Sequence, residues 1–305
     1  MKIAMMGSGG VGGYYGGRLA QAGHEVSFIA RGAHGEAMRK NGLRVKSELG
    51  DTHLQPVRVF ENPAQVGQVD LVVLAVKLWD TEKAAAALGP MIGPTTTAVS
   101  LQNGVDKDEI LSRAVGGEHV IGGVTHIGVV VAEPGVIAHT GKLARVTLGE
   151  LDGSRSKRLG KIVEALQGAR VETILSEDIR RVTWEKFVFL TAVSGLTALT
   201  RKPIGEVRSQ PATRALLHEA LREAAAVARA EGAALPDDFA DAQLQLVDSF
   251  PPAMLSSMAQ DLLRGRPLEL EWLSGAVVRR GERQGVPTPV HRAIYAGLIL
   301  WAQLG

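Results

Sequence analysis

Lys2-Ile3-Ala4-Met5-Met6 is an apolar run, and Gly7-Ser8-Gly9-Gly10-Val11-Gly12 follows it at once. The three spaced glycines do separable jobs. Gly7 permits a tight turn, Gly9 lets main chain come close to a pyrophosphate, and Gly12 lets a helix lie close on the preceding strand. Free N–H groups at the start of that helix, from Gly10 and Val11 onward, would offer donors to phosphate oxygens, with Ser8 inside the same loop. The chemistry this spacing fits is main-chain binding of a dinucleotide; a glycine turn without a ligand is the alternative.

Further charged and polar residues stand where they could act on such a ligand. The second strand, Glu25–Ala30, ends in Arg31-Gly32 with no acid. Sites built for a free ribose 2′-hydroxyl place Asp or Glu about 20 residues beyond the fingerprint. A guanidinium suits a 2′-phosphate instead, so the expected cofactor is NADP, unless Arg31 is a solvated surface residue. Lys77 closes the run Leu71–Val76, and Asn103 lies in Gln102-Asn103-Gly104. Lys77 could reach cofactor phosphates or a substrate carboxylate, or be solvated. Asn-Gly alone is a common turn dipeptide.

Lys186 interrupts Val182–Val193, a segment apolar nearly all round. A helix of that kind is buried. Burial lowers a lysine pKa, and such a lysine can deliver a proton; snorkelling or pairing with Glu185 is the bland reading. Glu269 and Glu271 open a helical pattern, where acids ordinarily just complement the helix dipole. The eight histidines form no H-x-x-x-H or H-E-x-x-H pair, so no catalytic metal is expected. His126 and His139 stand nearest a functional reading, although a structural role is the commoner one for each.

The elements that must position these residues follow from pattern. Strand and helix signals alternate through the first half, and Leu71–Val76 reads as a strand buried on both faces of a parallel sheet. Helices are expected over 11–21, 80–88 and 154–167. Strands are expected over 97–101, 119–122, 127–131, 136–139, 145–148 and 171–175. After about Ser176 the chain becomes Ala-, Leu-, Glu- and Arg-rich at helical spacing. Helices are expected over 178–199, 211–231, 237–248, 252–263, 269–284 and 289–303, with prolines at most breaks. The fold class is α/β: an N-terminal Rossmann-type doubly wound sheet over residues 1–176, then an all-helical C-terminal domain over 177–305, with the active site expected in a cleft between them.

Composition bounds the function. The chain has 305 residues, 45% hydrophobic and 22% charged, with a formal net charge of +2 and no cysteine. Thiolate catalysis and disulfides are excluded, and the charge gives no reason to expect nucleic acid or an acidic membrane as partner. The first apolar stretch breaks at Gly7, unlike a signal peptide, and no stretch approaches the ~18 apolar residues of a membrane span. A cytoplasmic enzyme acting on a small molecule is expected. Oligomeric state, a homodimer included, is left open.

Taken together the motifs resemble the ketopantoate reductase (2-dehydropantoate 2-reductase) family over nearly the whole chain. The matching segments are Gly7–Leu19, Ala75-Val76-Lys77, Leu101–Gly104, Val124-Thr125-His126, Trp184-Glu185-Lys186, Leu196–Leu199, Ser256–Asp261 and Leu268–Glu271. The resemblance implies reduction of ketopantoate to (R)-pantoate by NADPH, on the route to pantothenate. It implies Lys186 as general acid, Asn103 at nicotinamide and substrate, and Arg31, Lys77 and Ile127 as cofactor contacts. It also implies Ser257 as a substrate contact and Glu269 as an acid holding cofactor or substrate. Three substrate-binding asparagines of the best-known members fall on Leu190, Ser194 and Ile204, which puts recognition of the substrate's polar groups in question. The same reduction of another 2-oxo acid, or a non-catalytic NADP-binding sensor, are the rival readings.

Overall fold

The structure, a computed structural model, describes residues 1–302. Close contacts divide the chain into two units, Met1–Ile179 and the residues from Arg180 onward.

The first unit is built on one sheet of ten strands. In chain order its elements are β1 (Lys2–Met6), α1 (Gly10–Gln21), β2 (Glu25–Ile29), α2 (Gly32–Asn41), β3 (Leu43–Lys46), β4 (Thr52–Leu54), β5 (Arg58–Phe60), β6 (Leu71–Leu74), α3 (Thr81–Ala86), β7 (Thr97–Ser100), α4 (Lys107–Val115), β8 (Val120–Glu133), β9 (Val136–Glu150), α5 (Lys157–Gly168) and β10 (Glu172–Leu175). Strand order is β4-β3-β9-β8-β7-β6-β1-β2-β5, with β10 added beside β9. β1 lies between β2 and β6, parallel to both, with Ile3 opposite Val26 and Leu71.

Alternation along β1 explains why its sequence is continuously apolar. Ile3 and Met5 enter the core shared with Tyr14, Leu19 and Phe28, whereas Ala4 and Met6 enter the opposite core with Val72, Ala84 and Leu111. Successive side chains face opposite sides, so helices covering both faces leave no polar position. Each fully buried Leu, Ile or Phe stabilises the unit by about 1.5–3 kcal/mol. Tyr15 seats α1 on β8 through a 2.5 Å hydrogen bond with Thr125.

Several sequence expectations need correction. The four short strands expected between 119 and 148 are two long antiparallel ones, β8 and β9, with Val124 opposite Thr147. Gly122, Gly123 and Gly149 lie inside these strands, where a Cβ would come within 2.6 Å of Ile179, Val99 or Ser176. The helix expected at 154–167 starts at Lys157, because Ser156 caps it by accepting from the Leu159 N–H. Residues 32–60, for which the sequence analysis names no element, form α2 and β3–β5.

The second unit is helical: α6 (Ile179–Thr200), α7 (Ile204–Ser209), α8 (Pro211–Ala230), α9 (Phe239–Ser249), α10 (Ser257–Leu263), α11 (Ser274–Gln284) and α12 (Pro289–Leu298). Pro211 and Pro289 sit at first helical positions, where a missing N–H costs nothing. The helix expected from Pro252 begins only at Ser257. Residues 251–254 are spent on α7, since Pro252 and Met254 carbonyls accept from the Gly205 and Ile204 N–H groups. The helix expected over 269–284 is broken at Leu273 into a single turn, Glu269–Trp272, and α11. α6 is long and apolar enough to cross a membrane by length and composition, contrary to the sequence reading, but 67% of its most apolar stretch is buried in protein.

Candidate functional site

The loop after β1 turns through Gly7 at φ +97°, a conformation costly for any residue with a Cβ. A Cβ on Gly7 would lie 2.7 Å from the Val76 amide nitrogen, and one on Gly12 would lie 1.9 Å from the Gly7 carbonyl oxygen. Neither place accepts another residue. At Gly9, by contrast, nothing lies within 4 Å of where a Cβ would be. Gly9 is the N-cap of α1, no side chain caps that end, and its first turn holds no acid. The helix start therefore keeps main-chain donors and positive dipole for an anion. An open cleft lies there, lined by Gly7, Ser8, Gly9, Ala30, Arg31 and His34 among others. The lining fits a dinucleotide: uncapped helix N-terminus, vacant space at Gly9, and no carboxylate among the described lining residues.

Arg31 is the exposed N-cap position of α2, extended at φ −121°, ψ 165°. Ser8 is buried and its hydroxyl donates to the Ile29 carbonyl at 3.1 Å. Because β1, β2, β6 and β7 run parallel, the loops after them share one edge of the sheet. That edge holds the glycine loop, Arg31, Lys77 and Asn103. Lys77 is exposed, its ammonium 5.5 Å from the Trp79 ring centre. Asn103 is half-buried, followed by Gly104 at φ +86°.

Gln102, which the sequence reading passed over, ties these loops together. Its amide donates to the Val76 carbonyl at 2.9 Å and to the Thr81 hydroxyl at 2.8 Å, and its carbonyl accepts from Ser100 at 2.9 Å. The ends of β6 and β7, and so Lys77 and Asn103, are held by this one buried side chain. Ile127 is half-buried in β8, packed on the core, at the point where the β8–β9 register shifts. His139 is structural: buried, bonded to Ser47 and to the Leu143 carbonyl, with its ring centre 4.9 Å from that of Tyr14. His126 is half-buried in β8.

In the helical unit, Lys186, Leu190 and Ser194 recur one turn apart along α6 and so share a face. Lys186 and Leu190 are half-buried, Ser194 fully buried. Glu185 pairs with Arg181 at 2.7 Å. Thr197 and Thr200 donate to carbonyls one turn back at 2.7 Å, whereas the buried hydroxyls of Thr191 and Ser194 have no hydrogen-bond partner among the described residues. Ile204 is fully buried at the start of α7. Ser257 is exposed; the helix cap is its neighbour Ser256, which accepts from the Ala259 N–H and shares a 2.8 Å hydrogen bond with Thr197. Of the two acids, Glu271 serves structure: it pairs with Arg279 and accepts from the Tyr295 hydroxyl at 2.6 Å, which raises that phenol's pKa. Glu269 is buried. No cluster of three potential metal ligands occurs among the described residues.

A Rossmann-type unit with an open phosphate cradle, joined to a helical unit carrying a half-buried lysine, defines an oxidoreductase that uses a dinucleotide. The chain belongs to the ketopantoate reductase family: residues 3–153 match the family described as ketopantoate reductase PanE/ApbA, and residues 178–300 match its C-terminal counterpart. It is 31% identical over 301 residues to the uncharacterized oxidoreductase YkpB of Bacillus subtilis (strain 168), covering 99% of each chain. It is 33% identical over 318 residues to a 2-dehydropantoate 2-reductase of Mesorhizobium japonicum, covering 97% of this chain and 96% of the relative. The crystal structure of a PanE/ApbA family ketopantoate reductase from Ralstonia eutropha JMP134 superposes with a TM-score of 0.91 at 35% identity, covering 99% of this chain and 98% of that one.

Proposed function

We propose that this chain reduces 2-dehydropantoate to (R)-pantoate with NADPH. The observation that carries the reading is the Gly7–Gly12 cradle with Arg31 beside it and no carboxylate in the described lining. NADPH, when bound, would supply the hydride that reduces the ketone carbon. The chain's residues do the rest. Main-chain N–H groups at the start of α1 hold the pyrophosphate, and Arg31 and Lys77 pair with phosphate charge. Asn103 orients the reacting groups, and Lys186 Nζ gives a proton to the carbonyl oxygen as negative charge develops there. Ile127 contributes main chain to the cofactor, Ser257 contacts substrate, and Glu269 holds cofactor or substrate.

A second reading, the same reduction of a more apolar 2-oxo acid, is favoured by one observation. Leu190 stands one turn from Lys186 on the same face of α6, and Ile204 is sealed in the core. Neither side chain can hydrogen-bond a substrate. NADPH oxidation across ketopantoate and a panel of 2-oxo acids tests both readings. Highest kcat/KM on ketopantoate supports the first, highest kcat/KM on a plain branched 2-oxo acid supports the second, and no turnover with any of them leaves only an NADP-binding sensor.

A further inference from the structure

His34 lies in the first turn of α2, half-buried, and belongs to the lining of the cofactor cleft. None of the chemistry above uses it. Both ring nitrogens are engaged. Nε2 is 2.9 Å from the Ser8 carbonyl oxygen, and Nδ1 is 3.0 Å from the Gly135 amide nitrogen. An amide N–H can only donate and a carbonyl can only accept. Nδ1 is therefore the bare acceptor, Nε2 carries the proton, and the ring is neutral. Its partners are distant in sequence, by 26 and 101 residues.

Both partners are themselves fixed. Ser8 is held a second time through its hydroxyl on Ile29, and the Gly135 carbonyl accepts from the Arg44 N–H at 2.9 Å. Gly135 turns the chain between β8 and β9 at φ +81°. The peptide between Ser8 and Gly9 is planar and trans, so fixing the Ser8 carbonyl fixes the Gly9 N–H on the opposite side of the bond. Gly9 is the residue with open space where a Cβ would be.

We infer that His34 is a positioning residue of the phosphate loop, a neutral imidazole clasp between the Ser8 carbonyl and the Gly135 amide that presets the Gly9 N–H for the pyrophosphate and couples the loop to the β8–β9 turn. The inference rests on the dinucleotide reading above and adds a residue to it. Setting a donor before the ligand arrives removes ordering cost from binding. The pyrophosphate is common to NADPH and NADH, so the clasp acts on both alike, whereas Arg31 acts only on the 2′-phosphate.

The test uses the full chain with His34→Ala, His34→Asn and His34→Gln, titrated with NADPH and with NADH by nucleotide fluorescence. Gln places an amide N–H near the position of Nε2 and can still donate to Ser8. Asn places a carbonyl near Nδ1 and can still accept from Gly135. His34→Ala is expected to weaken both nucleotides by the same factor, about tenfold for one net hydrogen bond. His34→Gln should recover most of that loss and His34→Asn little of it. In turnover the change should appear in the KM for NADPH rather than in kcat. Three variants equally weak, or an Ala variant that binds like wild type, would overturn the clasp while leaving the dinucleotide reading intact. A loss confined to NADPH would assign His34 to the 2′-phosphate instead and overturn it too. Wild-type protein that binds neither nucleotide would remove both readings. If the Ala variant fails to fold, the contrast between Gln and Asn decides.

Discussion

At the scale of single residues, function turns on groups whose surroundings differ more than their chemistry. Lys186 is one cation among 34 Lys and Arg residues, set apart by a half-buried place in an apolar helix. Lys186→Ala is expected to lower kcat by about 10²-fold or more, the range for a general acid, with the NADPH dissociation constant little changed. Single-turnover kinetics and fluorescence titration check this; a variant keeping over a tenth of wild-type kcat removes the role. Arg31→Ala should weaken NADPH by about 10- to 100-fold, as for a hydrogen bond to a charged group, and leave NADH unaffected. Leu190→Asn tests substrate choice better than a change at Ser194, which is fully buried whereas Leu190 is half-buried. One restored hydrogen bond to a neutral group is worth about 0.5–1.5 kcal/mol, so kcat/KM for ketopantoate should rise roughly 2- to 12-fold against a plain branched 2-oxo acid. No gain would mean that position 190 does not touch the substrate's polar groups.

At the scale of elements, the positions of the loops depend on buried connectors. Gln102→Leu would remove the side-chain donor to the Val76 carbonyl, at about 1–3 kcal/mol for a buried group left unpaired, while Thr81 and Ser100 keep their bonds to the Leu78 carbonyl and the residue 102 N–H. Calorimetry should show a lower melting temperature, and the KM for NADPH should rise because Lys77 and Asn103 lose their common support. What the sequence makes legible is what local spacing encodes. β1, the glycine turn and α1 are adjacent in the chain, and the all-apolar pattern of β6 and α6 states their burial directly. Arg31 was legible because its place is counted along the chain from the fingerprint. Gln102 and His34 were not, since their meaning lies in partners such as Val76, 26 residues from Gln102, and Gly135, 101 residues from His34. The length of β8 and β9 was not legible either, because their pairing is not written in local spacing. Glycine marks a turn by default, and only the neighbours of Gly122 and Gly149 reveal that it stands there to admit Ile179 and Ser176. Ser256 and Ser257 look alike in sequence, and only their burial tells the cap from the exposed neighbour.

At the scale of the whole molecule, each unit carries its own acid-sensitive ion pair. In the first unit, burial pushes the Glu150 carboxyl up, but hydrogen bonds from Arg158 and Ser156 outweigh it and hold the pKa below its ordinary value. In the second, the hydrogen bond from Arg214 holds Asp248 down. A depressed folded-state pKa gives stability that is present above the unfolded value and lost as pH falls through the folded one. Stability should therefore hold above the ordinary carboxylate range of about 4 and fall progressively below it. Arg158→Met and Arg214→Met should each flatten part of that acid limb in melting curves; unchanged curves would show that other carboxylates govern it. A different consequence follows from α6. Its covering partners come later in the chain: Phe250 against Phe189, Ser274 and Ile294 against Gly195. At about 5–20 residues per second of synthesis, roughly 5 to 20 s pass between completion of α6 and arrival of Ile294. Until then a segment apolar enough to be taken for a membrane anchor lacks part of its native cover. The newborn chain is then a substrate for chaperones and insertion machinery, and a product truncated before α11 would remain one.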